Sequence, residues 1–93
     1  MKRPLVRTTA FIRAAKRISK RQPKANLAIL DALQRLESDA LDPHLRTHKL
    51  KGDLAGSWAC SAGYDLRVVF EFVQHEGAEA ILLQTVGTHD EVY

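Results

Sequence analysis

The feature that most constrains this chain is a change of hydrophobic period near residue 43. Before it, apolar residues recur at helical spacing. Phe11, Ala15 and Ile18 have Ile12 beside them, and Ile29, Ala32, Leu33, Leu36 and Ala40 have Leu27 and Leu30 flanking. That spacing gives each of two helices one apolar stripe. Gln22-Pro23 separates them, and Pro23 suits the first turn of the second helix, where an N–H has no intrahelical partner anyway. Two amphipathic helices across so short a turn form an antiparallel hairpin. Asp42-Pro43 ends it, because the residue before a proline is pushed out of helical geometry.

Beyond residue 43 the period is two. Thr47-His48-Lys49-Leu50 reads as a short strand, Lys51 to Gly56 as a loop with two glycines, and Trp58-Ala59-Cys60-Ser61 as a further strand. In Leu66 to Phe72, the residues Leu66, Val68, Phe70 and Phe72 share one face while Arg67, Val69 and Glu71 share the other. His75-Glu76-Gly77-Ala78 is a hairpin turn into Ala80 to Val86, a run apolar enough to be buried on both faces. Ahead of the helices, Leu5-Val6-Arg7-Thr8 makes a short first strand, and Thr8 or Thr9 can cap the first helix through its hydroxyl. The order is β-α-α-β-β-β. It predicts an α+β domain in which the helical hairpin packs on one face of a largely antiparallel sheet, with the Leu66 to Phe72 apolar face against the helices. At 93 residues the chain is one domain, 1–93, with a single modest core.

No apolar run approaches a membrane span, and Met1-Lys2-Arg3-Pro4 does not lead into the apolar stretch of a signal peptide. The chain therefore reads as soluble and cytoplasmic, with no membrane partner. Cys60 is alone, so no internal disulfide and no cysteine-based metal site is expected, and it reads as a buried structural residue. No cofactor or metal is anticipated. The net charge is only +3, but Lys2, Arg3, Arg7, Arg13, Lys16, Arg17, Lys20, Arg21 and Lys24 precede the first acidic residue, Asp31. Such an asymmetry suits a polyanion or an acidic protein as partner, or simply a solvated helix surface.

The polar end of the chain, Gly87-Thr88-His89-Asp90-Glu91-Val92-Tyr93, follows directly on the most apolar strand. Titratable groups held at the mouth of a rigid strand make an active site readily, and a solvated tail is the alternative. Arg67 points to the face away from the helices, where His48 and the C-terminal residues can converge. Each has an ordinary reading too: His48 a strand histidine, Arg67 a partner of Glu71, Asp65 the end of a turn after Gly63. Trp58 reads as packing rather than a stacking platform.

Three stretches carry a resemblance to a known family. They are Thr47-His48-Lys49-Leu50 followed by Gly56-Ser57-Trp58, then Tyr64-Asp65-Leu66-Arg67-Val68-Val69-Phe70, and Gly87-Thr88-His89 with Tyr93 at the end. In this order, on these elements, they resemble the RelE/ParE superfamily of bacterial toxin–antitoxin toxins, in its YafQ-like branch of mRNA interferases. The resemblance spans nearly the whole domain. It implies an endonuclease that cuts mRNA on the ribosome, without a metal, by attack of a ribose 2′-hydroxyl on the adjacent phosphate, and that is silenced by a cognate antitoxin. It makes His89 and His48 the candidates for proton transfer. Asp65 becomes an acid or an orienter of a histidine, and Arg67 the binder of phosphorane charge. Tyr93 is then a base-stacking or hydroxyl-donating aromatic. Lys49 and Lys51 would steer the RNA backbone, and the first helix, with Arg13, Lys16, Arg17 and Lys20, would meet ribosomal RNA. One departure stands out: Ser61 occupies the place where that branch carries a further histidine, and serine is no substitute base. Two other functions fit the same fold, a ParE-type inhibitor of DNA gyrase and a degenerate toxin that only binds its antitoxin.

Overall fold

The computed structural model describes residues 2–93. Strand β1 (Leu5–Arg7) leads into α1 (Thr9–Arg21) and α2 (Pro23–Ser38). After a 3₁₀ turn at Pro43–Leu45 come β2 (His48–Lys49), a second 3₁₀ turn at Gly52–Leu54, β3 (Trp58–Ala62), β4 (Leu66–His75), β5 (Ala78–Thr88) and a terminal helical turn α3 (His89–Val92). The sheet has five strands, one for each strand segment along the sequence and one more than the order β-α-α-β-β-β counts, and the terminal turn α3 lies outside that order. The sheet order is β1-β5-β4-β3-β2, antiparallel except for the parallel β1–β5 edge pair.

The helices start and stop where their chemistry requires. Thr8 caps α1, its Oγ1 accepting from the Phe11 N–H at 3.1 Å, and the same hydroxyl donates to the Leu83 carbonyl at 2.8 Å. One residue thus ties the first helix to the central strand β5. Pro23 sits in the first turn of α2. The core-facing stripe of α1 is Phe11, Ala14 and Ile18, rotated from the expected one. Ala15 is only half-buried, and Ile12 is exposed. Helix α2 ends at Ser38, so Ala40 reaches the core from the connection that follows rather than from the helix.

Leu66, Val68 and Phe70 of β4 lie with Ile81, Leu83 and Val86 of β5, and with Cys60 and Ala62, in one cluster against the helices. Phe72, on the same face, is only half-buried at the margin. Between Val69 and Phe70 the register slips by one residue, and Gln84 of β5 has no partner in the ladder. This bulge turns Gln84 to the opposite face, where its amide donates to Glu71 at 3.0 Å and its carbonyl accepts from the Ser57 hydroxyl at 2.9 Å. Glu71 is thereby occupied. The face away from the helices is not bare, however. Val69 and Ala59 on it are buried, and the loop 50–54 and α3 approach each other above the sheet.

Candidate active site

The sheet register decides which residues meet. His48 pairs with Ala59, which pairs with Val69, so His48 belongs to the face away from the helices. One row further on, Ser61, Arg67 and Gly87 stand side by side on that face. Lys49 has the opposite parity. Its ammonium lies 5.4 Å from the Trp58 ring centroid, away from His48. Trp58 itself packs on the core margin, edge to face with Phe72.

The last piece is delivered by α3. A four-residue helix has no stability of its own, and here it is held by a capping box. Thr88 Oγ1 accepts from the Glu91 N–H at 3.3 Å, and the Glu91 carboxylate accepts from the Thr88 N–H at 2.8 Å. That backbone bond, with the Thr88 side chain and the neighbouring guanidiniums of Arg21 and Arg17, holds the Glu91 carboxyl below the usual carboxylate range. Arg21 Nη2 approaches Glu91 at 3.7 Å, so the basic helix α1 touches the turn that carries His89 and Tyr93. Gly87 makes room for the fold-back. A methyl there would meet Val92 Cγ1 at 3.1 Å and Glu91 Cβ at 3.2 Å.

The result is a tight set of aromatic and titratable groups. The Tyr93 hydroxyl lies 3.2 Å from His48 Nε2, and the Tyr93 ring stands edge to face with His89, centroids 4.5 Å apart. His48 Nδ1 is 2.9 Å from the Arg46 carbonyl. A carbonyl only accepts, so Nδ1 carries the proton, and in the neutral ring Nε2 is left as the acceptor facing Tyr93. Arg46 holds that carbonyl in place from a left-handed backbone conformation, φ 52°. Partial burial pushes the Tyr93 phenol above its ordinary pKa, with the Arg67 charge acting in the other direction, so the hydroxyl keeps its proton at neutral pH. Arg67 donates to the Leu66 carbonyl at 2.9 Å and has no carboxylate within 4 Å among the described residues. Its positive charge is therefore available to an anion. Burial pushes Cys60 up to about 12, which makes it a core residue and no nucleophile.

Not every expected residue joins this set. Asp65 sits in the exposed β3–β4 turn and makes no hydrogen bond to either histidine; it shares a cleft with Arg67 and Ser61. Lys51 lines a separate cleft of about 550 Å³ with Val92 and Tyr93, beside the histidine pair. Arg13, Lys16, Arg17 and Lys20 are all exposed on α1. Arg46 draws no attention in the sequence, and Gly87 and Glu91, though part of the C-terminal stretch that does, show their clasping role only in the structure. Thr88-x-x-Glu91 is a capping-box signature that points to the clasp, whereas nothing local marks Arg46.

A mixed five-stranded sheet backed by a helical hairpin, with histidines, a tyrosine and an unpaired arginine gathered on its other face, describes a class of small bacterial toxins. Residues 3–93 match the model of the YafQ toxin family, described as a bacterial toxin of type II toxin–antitoxin systems, and the chain belongs to that family. No curated protein sequence matches the chain. Among solved structures, YafQ from E. coli strain BL21(DE3) superposes with TM-score 0.78 at 13% identity, covering 99% of each chain. A YoeB/ParE toxin from Agrobacterium tumefaciens gives 0.75 at 17% identity, covering 92% of this chain and 98% of that one. The E. coli DinJ-YafQ toxin-antitoxin complex gives 0.76 at 14% identity, over 100% of this chain and 99% of that one. At these identities the superpositions establish the fold. Among the described residues no helix is long and apolar enough to cross a membrane.

Proposed function

We propose that this toxin is an endoribonuclease that cuts mRNA on the ribosome, using its own side chains for proton transfer, and that a cognate antitoxin silences it. The observation that carries the reading is the 3.2 Å approach of Tyr93 to His48 Nε2, with His89 against the same ring and Arg67 on the same face. In the reaction the ribose 2′-oxygen bonds to phosphorus, the bond from phosphorus to the 5′-oxygen breaks, and the proton lost by the 2′-hydroxyl is balanced by one delivered to the leaving oxygen. His48, whose Nε2 accepts from the Tyr93 hydroxyl, suits the base through that hydroxyl, the 2′-proton passing to the Tyr93 oxygen as the Tyr93 proton passes to Nε2, and His89 suits the acid. Arg67 stabilises the extra phosphorane charge with a permanent, unpaired guanidinium. Tyr93 orients His48 through its hydroxyl and offers a ring for a base to stack on. Asp65 remains the residue the family resemblance marks as an acid, reaching the chemistry from the cleft it shares with Arg67. Lys51 draws the RNA backbone toward Tyr93, Lys49 acts from the other side of β2, and Arg13, Lys16, Arg17 and Lys20 face ribosomal RNA. Support for an antitoxin partner comes from the DinJ-YafQ complex, whose toxin subunit shares this fold.

The test is a cell-free translation reaction on one defined mRNA, mapped by primer extension, with native protein and His89→Ala, each with and without ribosomes. New 5′ ends only with native protein and ribosomes are the expected outcome. Equal cleavage by His89→Ala would sink the assignment of His89. No cleavage in any tube, with gyrase inhibition instead, would replace the nuclease reading by the ParE-type one. Tight antitoxin binding with neither activity would mark a degenerate toxin, with Ser61 the first residue to restore to histidine.

A further inference from the structure

The face that carries His48 and Arg67 continues into a cleft of about 550 Å³ at the β3–β4 turn, lined among others by Arg46, Ser61, Tyr64, Asp65 and Arg67. We propose that this cleft binds the nucleotide flanking the scissile phosphate, its base stacked on Tyr64 and its own phosphate drawn to Arg46 and Arg67. The inference rests on the nuclease reading and extends it to a second subsite.

Four observations carry it. Tyr64 is 99% exposed, so its ring contributes nothing to the core and offers both faces to a ligand. The backbone beneath it is nonetheless fixed. Strands β3 and β4 pair up to Ala62 and Leu66 on either side, and Gly63, at φ +65°, rests against α2 with its Cβ position 3.1 Å from Ala28 Cβ. A flat aromatic on an anchored turn loses little freedom on binding. Next, Arg67 is common to the cleft and to the histidine face, and Arg46 lines the cleft while its carbonyl orients His48. A strand whose scissile phosphate lies at Arg67 therefore brings its next nucleotide to Tyr64. Finally, the two guanidiniums outweigh the single carboxylate of Asp65, and the volume falls within the range of about 300–1,000 Å³ typical of pockets for small organic ligands. An aromatic face beside cations is the standard recipe for gripping single-stranded nucleic acid. An antitoxin segment would find few apolar contacts here.

The experiment is an NMR titration of the whole protein with a trinucleotide methylated on every ribose 2′-oxygen, which binds without being cut. Native protein, Tyr64→Ala and Tyr64→Phe are compared. The Gly63 and Asp65 amides and the Tyr64 ring are expected to shift together. Affinity should fall between about fivefold and a hundredfold in Tyr64→Ala, the span of base–aromatic stacking, and stay within about twofold in Tyr64→Phe, which keeps the ring. Because Tyr64 is wholly exposed, all three proteins should fold alike. Shifts confined to His48, His89 and Tyr93, with Tyr64→Ala binding as well as native, would overturn the subsite and leave the nuclease reading standing. No shift anywhere would likewise overturn the subsite, while the ribosome-dependent cleavage assay decides the nuclease reading on its own.

Discussion

Replacing Gly87 by alanine separates the stability of this fold from the geometry of its site. Gly87 lies in β5 next to Arg67 and does not have the positive φ that would bar another residue. The backbone accepts alanine, and a strand residue with a side chain is favoured over glycine by roughly 0.5–1 kcal/mol. The added methyl, however, would stand 3.1 Å from Val92 Cγ1 and 3.2 Å from Glu91 Cβ and Oε1. Overpacking of this kind typically costs about 1–3 kcal/mol when the neighbours are fixed. Here they belong to one helical turn that can swing away, so the cost cannot exceed what holds that turn. The Thr88 cap contributes on the order of 1 kcal/mol, and the Arg21–Glu91 contact, at 3.7 Å and solvent-exposed, adds little. The two sides are comparable, so the docked population should fall by up to about tenfold while the domain stays folded. The expected result is a thermal midpoint near that of native protein, ribosome-dependent cleavage reduced several-fold, and loss of the NOE between the Tyr93 and His48 rings. An alanine variant that keeps both the NOE and full cleavage would refute the close approach. One that unfolds would refute the claim that α3 docks independently of the core.

Other perturbations address the site one group at a time. Arg67→Lys keeps a positive charge but loses the planar fork, and cleavage should drop by about 10²–10³, as on loss of one preorganised donor, with unchanged circular dichroism. A drop smaller than tenfold would move the phosphate elsewhere. Glu91 has a folded pKa below its unfolded one, because the Thr88 N–H bond favours its charged form. Its contribution to docking α3 is therefore complete above the ordinary carboxylate range and lost as pH falls through the lowered folded value. In an NMR titration the Thr88 amide should follow the Glu91 carboxyl, and a Glu91 titrating at or above the ordinary value would contradict the capping box. Cys60, buried and pushed up to about 12, should resist thiol reagents at pH 8 until denaturant unfolds the chain. Rapid labelling of folded protein would show that β3 opens locally.

The elements were legible because each is decided by its own residues. Helix α1 follows from the Thr8 cap and an apolar stripe, and β4 from the shared face of Leu66, Val68 and Phe70 with Arg67 and Glu71 on the other. What escaped depends on contacts between elements. The stripe on α1 is centred on Ala14 rather than Ala15 because the helix packs on β5, a contact its own period does not encode. The bulge at Gln84 arises where the Thr8 hydroxyl and the Glu71 and Ser57 side chains all claim β5, and no turn residue announces it. Arg67 and Glu71 share a strand face but stand four residues, about 13 Å, apart along it, which is long for an ion pair, and the Gln84 amide holds Glu71 instead.

The site itself is a consequence of strand order more than of motif. His48, Arg67 and Tyr93 lie far apart in sequence, and their proximity needs β2, β3, β4 and β5 to be neighbours in that sequence of pairs. It also needs every register to keep the same parity. A one-residue slip of β2 on β3 would exchange His48 for Lys49 and leave Tyr93 without its partner. With only two residues in β2, the ladder alone cannot hold that register. The Arg46 carbonyl on His48 Nδ1 and the Lys49 ammonium over Trp58 supply the missing constraint from either side of the strand. On this account Lys49 matters to cleavage as a register lock before it matters as a charge. Lys49→Gln should then disturb the His48–Tyr93 contact as well as weaken RNA binding, whereas a purely electrostatic role would leave the His48 and Tyr93 resonances where they are.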